Sequence, residues 1–223
     1  MNRLSWPLIS KHNKQVVPPA LATVVVVHGW MSNRLDMWLY CRRLRQIGYE
    51  VVNWRYRSPK GSIDDHANSL TLFLDKLEST TKRSQLHLAG HSMGGIVIRR
   101  ALLNVVPDKL SRVVMLASPN GGSFMARRLS RWLNWFSPTL TEISDEPDSY
   151  VNQMDFLSDI EVGIVAAQRD RVIAPDRVHL EGETDFVTIE SGHGIMPWTK
   201  SAVTMTHRFL MFGQFKMPAG KRN

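Results

Sequence analysis

The sequence turns on one hexapeptide, Gly90-His91-Ser92-Met93-Gly94-Gly95. The apolar run Leu86-His87-Leu88-Ala89 leads into it, and Ile96-Val97-Ile98-Arg99-Arg100-Ala101-Leu102-Leu103 leads out with helical character. Strand, sharp turn and helix follow one another, with a serine at the turn. That serine must take a strained backbone conformation so that its hydroxyl stands clear of the sheet. Side chains two residues to either side would collide in so tight a reversal, so Gly90 and Gly94 are steric requirements. The next N–H, that of Met93, points to the same side as the hydroxyl. It opens a helix, whose N-terminus favours developing negative charge. A glycine-rich turn of this kind can also be purely structural. A nucleophilic serine needs three further parts: an oxyanion donor, an acid and a histidine.

The rest of the chain alternates strand and helix. Thr23-Val24-Val25-Val26-Val27 is a continuous β-branched run, the mark of a strand buried on both faces of a parallel sheet. Apolar residues recur with a helical period from Asp36 to Ile47, and Gly48 stops the run. Tyr49–Trp54 reads as the second strand, Asp64–Leu77 as a helix, and Met93–Asn104 as the helix after the elbow. Val113–Ala117 is the next strand. Val162–Ala166 and Asp185–Ile189 follow, and a helix over Thr199–Phe212 closes the pattern before a basic tail expected to be mobile. Between Phe124 and Phe156 the alternation breaks. A basic, Trp-rich helical stretch (Phe124–Phe136) meets Pro138, and a polar, acidic segment follows. The expectation is a single α/β domain over residues 1–223. It has a mostly parallel sheet of about six strands, helices on both faces, and a small lid insertion at about 124–156. Residues 1–20 lead in without a clear element.

In parallel sheets ligands bind at the carboxyl ends of the strands, so the loops there hold the candidate chemistry. After the first strand, His28-Gly29-Trp30 lets the backbone pass close to a ligand. The Trp30 N–H could pair with that of Met93 to hold an oxyanion, with Met31 as the alternative donor. His28 reads as a brace for that loop. After the fifth strand, Asp170 stands where a carboxylate can reach the site, with Asp176 as competitor. After the sixth, His193 lies between two glycines and has little packing role. His179 and His207 are not at a strand's carboxyl end. The order Ser92, Asp170, His193 differs from the orders of the two serine-protease types.

Composition narrows the classes. A chain of 223 residues with 43% hydrophobic and 22% charged residues is ordinary for one globular domain. The single cysteine, Cys41, sits in an apolar-periodic segment; it excludes a disulfide framework and fits a reducing, cytoplasmic setting. No signal-peptide pattern, bilayer-spanning run or metal motif is present in the sequence. A net charge of +8 admits nucleic acid, an anionic membrane surface or an acidic substrate. The basic residues are scattered, with short clusters at Arg42-Arg43-Arg45, Arg99-Arg100 and Arg127-Arg128-Arg131, and no nucleic-acid signature appears.

From Val24 to about Phe212 the sequence resembles the α/β-hydrolase superfamily and its lipase and esterase group. It is most similar to bacterial lipases that are themselves like the deacylases of glycosylphosphatidylinositol anchors. His28-Gly29, the Gly90–Gly95 elbow and Gly192-His193-Gly194 carry the resemblance. Ser118-Pro119-Asn120-Gly121-Gly122-Ser123 is similar to a Thr-Pro-His-x-Gly-Ser loop of bacterial lipases, but carries Asn120 where histidine is usual. The chain begins almost directly at the third strand of the family. The resemblance implies a serine ester hydrolase without a cofactor, acting on a small-molecule or lipid ester. The Phe124–Phe136 stretch, with Met125, Leu129, Trp132, Leu133 and Phe136 on one face, suggests a lid that touches membranes. A peptidase or amidase could use the same triad, with Glu142, Asp145, Glu146 or Asp148 holding a substrate amine. An acyltransferase would need a dry acceptor site. A non-catalytic binding module would not need all three triad positions filled.

Overall fold

Six strands form a single sheet in the computed structural model, which describes residues 21–155, 157 and 159–216. The lead-in at 1–20, the Phe156 end of the insertion and most of the basic tail lie outside the described residues. The strands are β1 (Thr23–Val27), β2 (Glu50–Asn53), β3 (Leu86–His91), β4 (Leu110–Leu116), β5 (Glu161–Arg169) and β6 (Asp185–Gly192). They lie in the order β2-β1-β3-β4-β5-β6, and every pairing is parallel. All six carboxyl ends therefore share one edge of the sheet.

Four helices pack on the sheet: α1 (Trp38–Ile47), α2 (Ile63–Thr80), α3 (Met93–Asn104) and α7 (Lys200–Phe212). They cover both faces, and the two-residue strand period sorts the core between them. Val25 and Val27 of β1 pack with Leu70 and Leu74 of α2 and Ile96 of α3. Val24 and Val26, on the opposite face, pack with Leu44 of α1 and Phe209 of α7. Each such side chain, fully removed from water, contributes about 1.5–3 kcal/mol. Gly48 ends α1 in the left-handed conformation, at φ 117°. Helix α2 begins one residue before Asp64 and runs three beyond Leu77. Its start is set by a capping box, in which the Ser62 and Asp65 side chains each accept the other's backbone N–H. Strands β3 to β6 also run further than their apolar runs, because ladder hydrogen bonds extend them where side-chain pattern gives no signal.

The insertion holds α4 (Phe124–Leu133) and two short helices, α5 (Thr139–Glu142) and α6 (Tyr150–Gln153). Ser123 caps α4, its Oγ accepting from the Ala126 N–H at 3.2 Å. The helix stops three residues short of Phe136, and its expected apolar face divides. Ala126 is buried, and Leu129 and Leu133 pack on the core. Trp132, 79% exposed, Trp135 and Phe136 face solvent instead.

Candidate active site

The turn after β3 carries the strain that its glycines imply. Ser92 has φ 53° and ψ −129°, a left-handed conformation that non-glycine residues rarely adopt. A Cβ on Gly90 would lie 2.5 Å from the Gly95 nitrogen, and one on Gly94 would lie 2.3 Å from the Val27 carbonyl oxygen. Those neighbours are backbone and cannot move aside. The elbow is thus held against α3 on one side and the end of β1 on the other.

The three sequence-selected side chains meet at the carboxyl edge. Ser92 Oγ–H donates to His193 Nε2 at 3.0 Å, and His193 Nδ1–H donates to Asp170 Oδ2 at 2.8 Å. The second carboxylate oxygen, Oδ1, accepts from the N–H groups of Val172 and Ile173 at 2.8 and 3.0 Å. Asp170 and His193 side chains are only 4% and 12% exposed. Burial pushes the Asp170 carboxyl up. The hydrogen bond and charge of His193, with the two backbone amides, outweigh it, and the carboxyl sits below its usual range. Asp170 is therefore ionised at neutral pH and fixes the proton of His193 on Nδ1. Nε2 is left free to take a proton from the hydroxyl.

The rival residues stand elsewhere. Asp176 is exposed beside Arg177 at 3.7 Å. His179 pairs with Glu183 at 2.7 Å, and His207 Nδ1 pairs with the Tyr49 hydroxyl at 3.0 Å. His28 is buried, donates from Nδ1 to the Gly29 carbonyl at 3.0 Å, and stacks on Tyr56 at 4.4 Å. The Tyr56 hydroxyl donates to the His28 carbonyl at 2.6 Å. These contacts brace the loop that follows β1. Asn120 is also structural, its amide donating to the Val178 carbonyl at 2.8 Å from a buried position.

A cavity of about 240 Å³ opens beside Ser92 and His193, walled by Trp30, Met31, Pro197 and Trp198. Neither the Met93 nor the Trp30 amide has a hydrogen-bond partner among the described residues. Met31 has a left-handed backbone at φ 52° and an exposed side chain. The Trp30 indole N–H donates to Ser137 Oγ at 2.8 Å, which ties the insertion to this loop. Among the described residues, no three His, Cys, Asp or Glu side chains converge to hold a metal ion. No helix is long and apolar enough to cross a membrane, again among those residues.

One participant escaped the sequence reading. His91, inside the elbow, donates from Nε2 to the His193 carbonyl at 3.0 Å. Burial above all, then the nearby His193, lowers its pKa to about 3, so it remains a neutral donor. It ties the histidine loop to the elbow across 102 residues of chain. The only local hint was its place beside the serine.

Comparison with known proteins bears on the family and the fold. Residues 24–208 match the Alpha/beta hydrolase family. No curated protein matches the sequence. Among solved structures, the chain is similar to the mature form of a Bacillus licheniformis lipase, with a TM-score of 0.64 and 14% identity over 87% of this chain and 93% of that one. It is similar to an esterase from Exiguobacterium antarcticum, with a TM-score of 0.63 and 15% identity over 86% and 93%. A lipase-esterase related protein from Clostridium acetobutylicum gives 0.58 and 17% over 85% and 93%. At these identities the likeness is one of fold.

Proposed function

Because the chain belongs to the Alpha/beta hydrolase family, we propose that it is a serine hydrolase of carboxylic esters that works through an acyl-enzyme. The observation that carries this reading is the hydrogen-bonded series from Ser92 Oγ through His193 to Asp170. His193 Nε2 takes the hydroxyl proton as Ser92 Oγ attacks the ester carbonyl. Asp170 keeps the imidazole in the right tautomer and stabilises its charged form. The amides of Met93 and Trp30 hold the tetrahedral oxyanion, and the α3 N-terminus adds its dipole. The oxyanion collapses, His193 protonates the leaving alcohol, and water attacks the acyl-enzyme by the same route. No cofactor enters these steps.

Ester is favoured over peptide by what surrounds the site. Glu142, Asp145, Glu146 and Asp148 were the carboxylates of the insertion available to hold a substrate amine. Glu142 accepts from the Ile63 N–H at 2.8 Å, and Asp145 and Glu146 pair with Arg127 at 2.8 and 3.8 Å. None of these lines the Ser92 cavity; Asp36 does, and its Oδ2 already accepts from the Ser32 hydroxyl and the Asn33 N–H, both at 2.9 Å. Two of the similar structures carry lipase in their names, which supports a lipid ester as substrate. The insertion supports a lid and a peripheral contact with anionic membranes. Arg128, Arg131, Trp132 and Trp135 are all exposed on and just after α4, the composition of an interfacial helix. The lone thiol, Cys41, is buried and its pKa is raised by that burial to about 11; an inert packed thiol fits a cytoplasmic setting.

A panel of p-nitrophenyl esters and aminoacyl anilides tests the reading. Ester turnover that is lost in Ser92→Ala, with anilides untouched, is expected. Anilide cleavage as the faster reaction would favour the peptidase alternative.

A further inference from the structure

A second cavity is larger than the one beside Ser92. It measures about 460 Å³ and lies between the loops that follow β1 and β2. Arg34, Arg55, Arg57 and Lys60 line it, and no carboxylate does. None of these four cations forms an ion pair with a described residue, whereas six other arginines do. Cations gathered in one concavity repel each other and focus a positive potential there. Such an arrangement is unfavourable to the protein alone and favourable to an anionic ligand.

The cavity adjoins the catalytic edge. Ser32 lines both it and the Ser92 cavity. Its wall includes Tyr56 and His28, the pair that braces the loop bearing Trp30. In that wall the buried His28 Nε2 has no hydrogen-bond partner among the described residues. Three guanidinium forks exceed what a single carboxylate can engage, and suit the several terminal oxygens of a phosphate.

We propose that this pocket holds the phosphate group of the substrate, so that the ester cleaved at Ser92 belongs to a phosphorylated molecule. The proposal rests on the ester hydrolase reading and narrows its substrate class. The same chemistry is offered by a phospholipid headgroup and by a soluble phosphorylated ester.

The test uses the full chain and its Arg55→Gln/Arg57→Gln variant, neither residue being part of the triad or the oxyanion site. Hydrolysis of a monoacylglycerol phosphate is compared with that of the same monoacylglycerol lacking phosphate. Loss of two charge-assisted contacts should lower kcat/KM for the phosphorylated ester at least about a hundredfold and leave the neutral ester unchanged, which also shows that the variant is folded. Salt near 0.5 M, which shortens electrostatic reach to roughly 4–5 Å, should raise KM for the phosphorylated ester alone. Isothermal titration with inorganic phosphate should show binding that the variant loses. Presenting the phosphorylated ester dispersed, or in vesicles of ether-linked phosphatidylcholine, identifies a soluble or a lipid source by the faster arm. An equal effect of the variant on both esters, or phosphate binding that survives it, overturns the proposal. If the parent cleaves neither ester, the hydrolase reading fails, and the phosphate titration still decides the pocket.

Discussion

Replacing Asp170 with Asn changes one atom and should stop the enzyme. The two oxygens of this carboxylate have different duties. Oδ1 accepts from the N–H groups of Val172 and Ile173, and Oδ2 accepts from His193 Nδ1–H. An amide placed here keeps its oxygen toward the two backbone donors, because its NH₂ cannot accept from them. The NH₂ must then face His193 Nδ1, which can receive it only as an acceptor. The ring proton moves to Nε2, the nitrogen 3.0 Å from Ser92 Oγ, and the base is lost. A wrong tautomer of this kind costs about 10⁴ in kcat in another serine triad, or roughly 5.5 kcal/mol at the transition state. The assay is steady-state hydrolysis of a p-nitrophenyl ester at neutral pH, with thermal melting to show that the fold persists. The Asp170 carboxyl is held below its usual range, so its contribution to stability is complete above about pH 4 and fades only as the pH falls through its folded value. Parent and variant should therefore converge in melting temperature in acid. Asp176→Asn, at an exposed side chain, should keep full activity. A kcat for Asp170→Asn within tenfold of the parent would refute the tautomer argument, and a large loss in Asp176→Asn instead would move the acid.

Three other perturbations follow from the packing. Gly94→Ala forces a Cβ to 2.3 and 2.7 Å from the Val27 and His28 carbonyl oxygens; overpacking of about 3 kcal/mol should lower the melting temperature by roughly 6–12 °C. Gly194→Ala, where a Cβ meets nothing within 4 Å, should leave it unchanged; equal melting of the two variants would contradict the close approach. Burial lowers the pKa of His87 to about 4 and of His91 to about 3, so the unfolded chain takes up their protons first as the pH falls below about 6.5. Stability from these two groups is full above that pH, and about 3 kcal/mol of it should be gone at about pH 5.5; a melting temperature constant between pH 7.5 and 5.5 would rule this out. Arg128→Gln/Arg131→Gln should weaken sedimentation with anionic vesicles about thirtyfold at low salt, at roughly 1 kcal/mol per arginine; unchanged or absent binding by the parent would remove the membrane contact.

The parts legible in the sequence were those whose physics is local. The elbow could be read because two glycines are required by backbone collisions within a few residues. The β-branched run of β1 and the Gly48 stop of α1 carry their own signals. Asp170 and His193 could be singled out as candidates because each directly follows a strand, and parallel pairing brings all strand ends to one edge. What escaped was non-local. The His91 contact with the His193 carbonyl spans 102 residues, and the Trp30 indole contact with Ser137 spans 107. Linear basic clusters also say little about exposure. Arg99, from one such cluster, is buried and donates to the backbone carbonyls of Met154 and Asp155 at 2.5 and 3.0 Å. The cationic pocket instead gathers residues from two loops, about twenty positions apart, that no sequence window joins. The apolar face expected of Phe124–Phe136 divided because only part of it meets the core: Leu129 and Leu133 pack there, Trp132 stands exposed within α4, and Phe136 lies beyond the helix end at Leu133.

The central claim is that Ser92 is the nucleophile, and labelling by a fluorophosphonate tests it most directly. The probe is added to the full chain, and the adduct is counted by intact mass and located by peptide mapping. The account predicts one adduct per chain, on Ser92 Oγ, absent in Ser92→Ala and formed far more slowly in Asp170→Asn. Ester hydrolysis that continues with Ser92 unlabelled, or an adduct on any other residue, would contradict it.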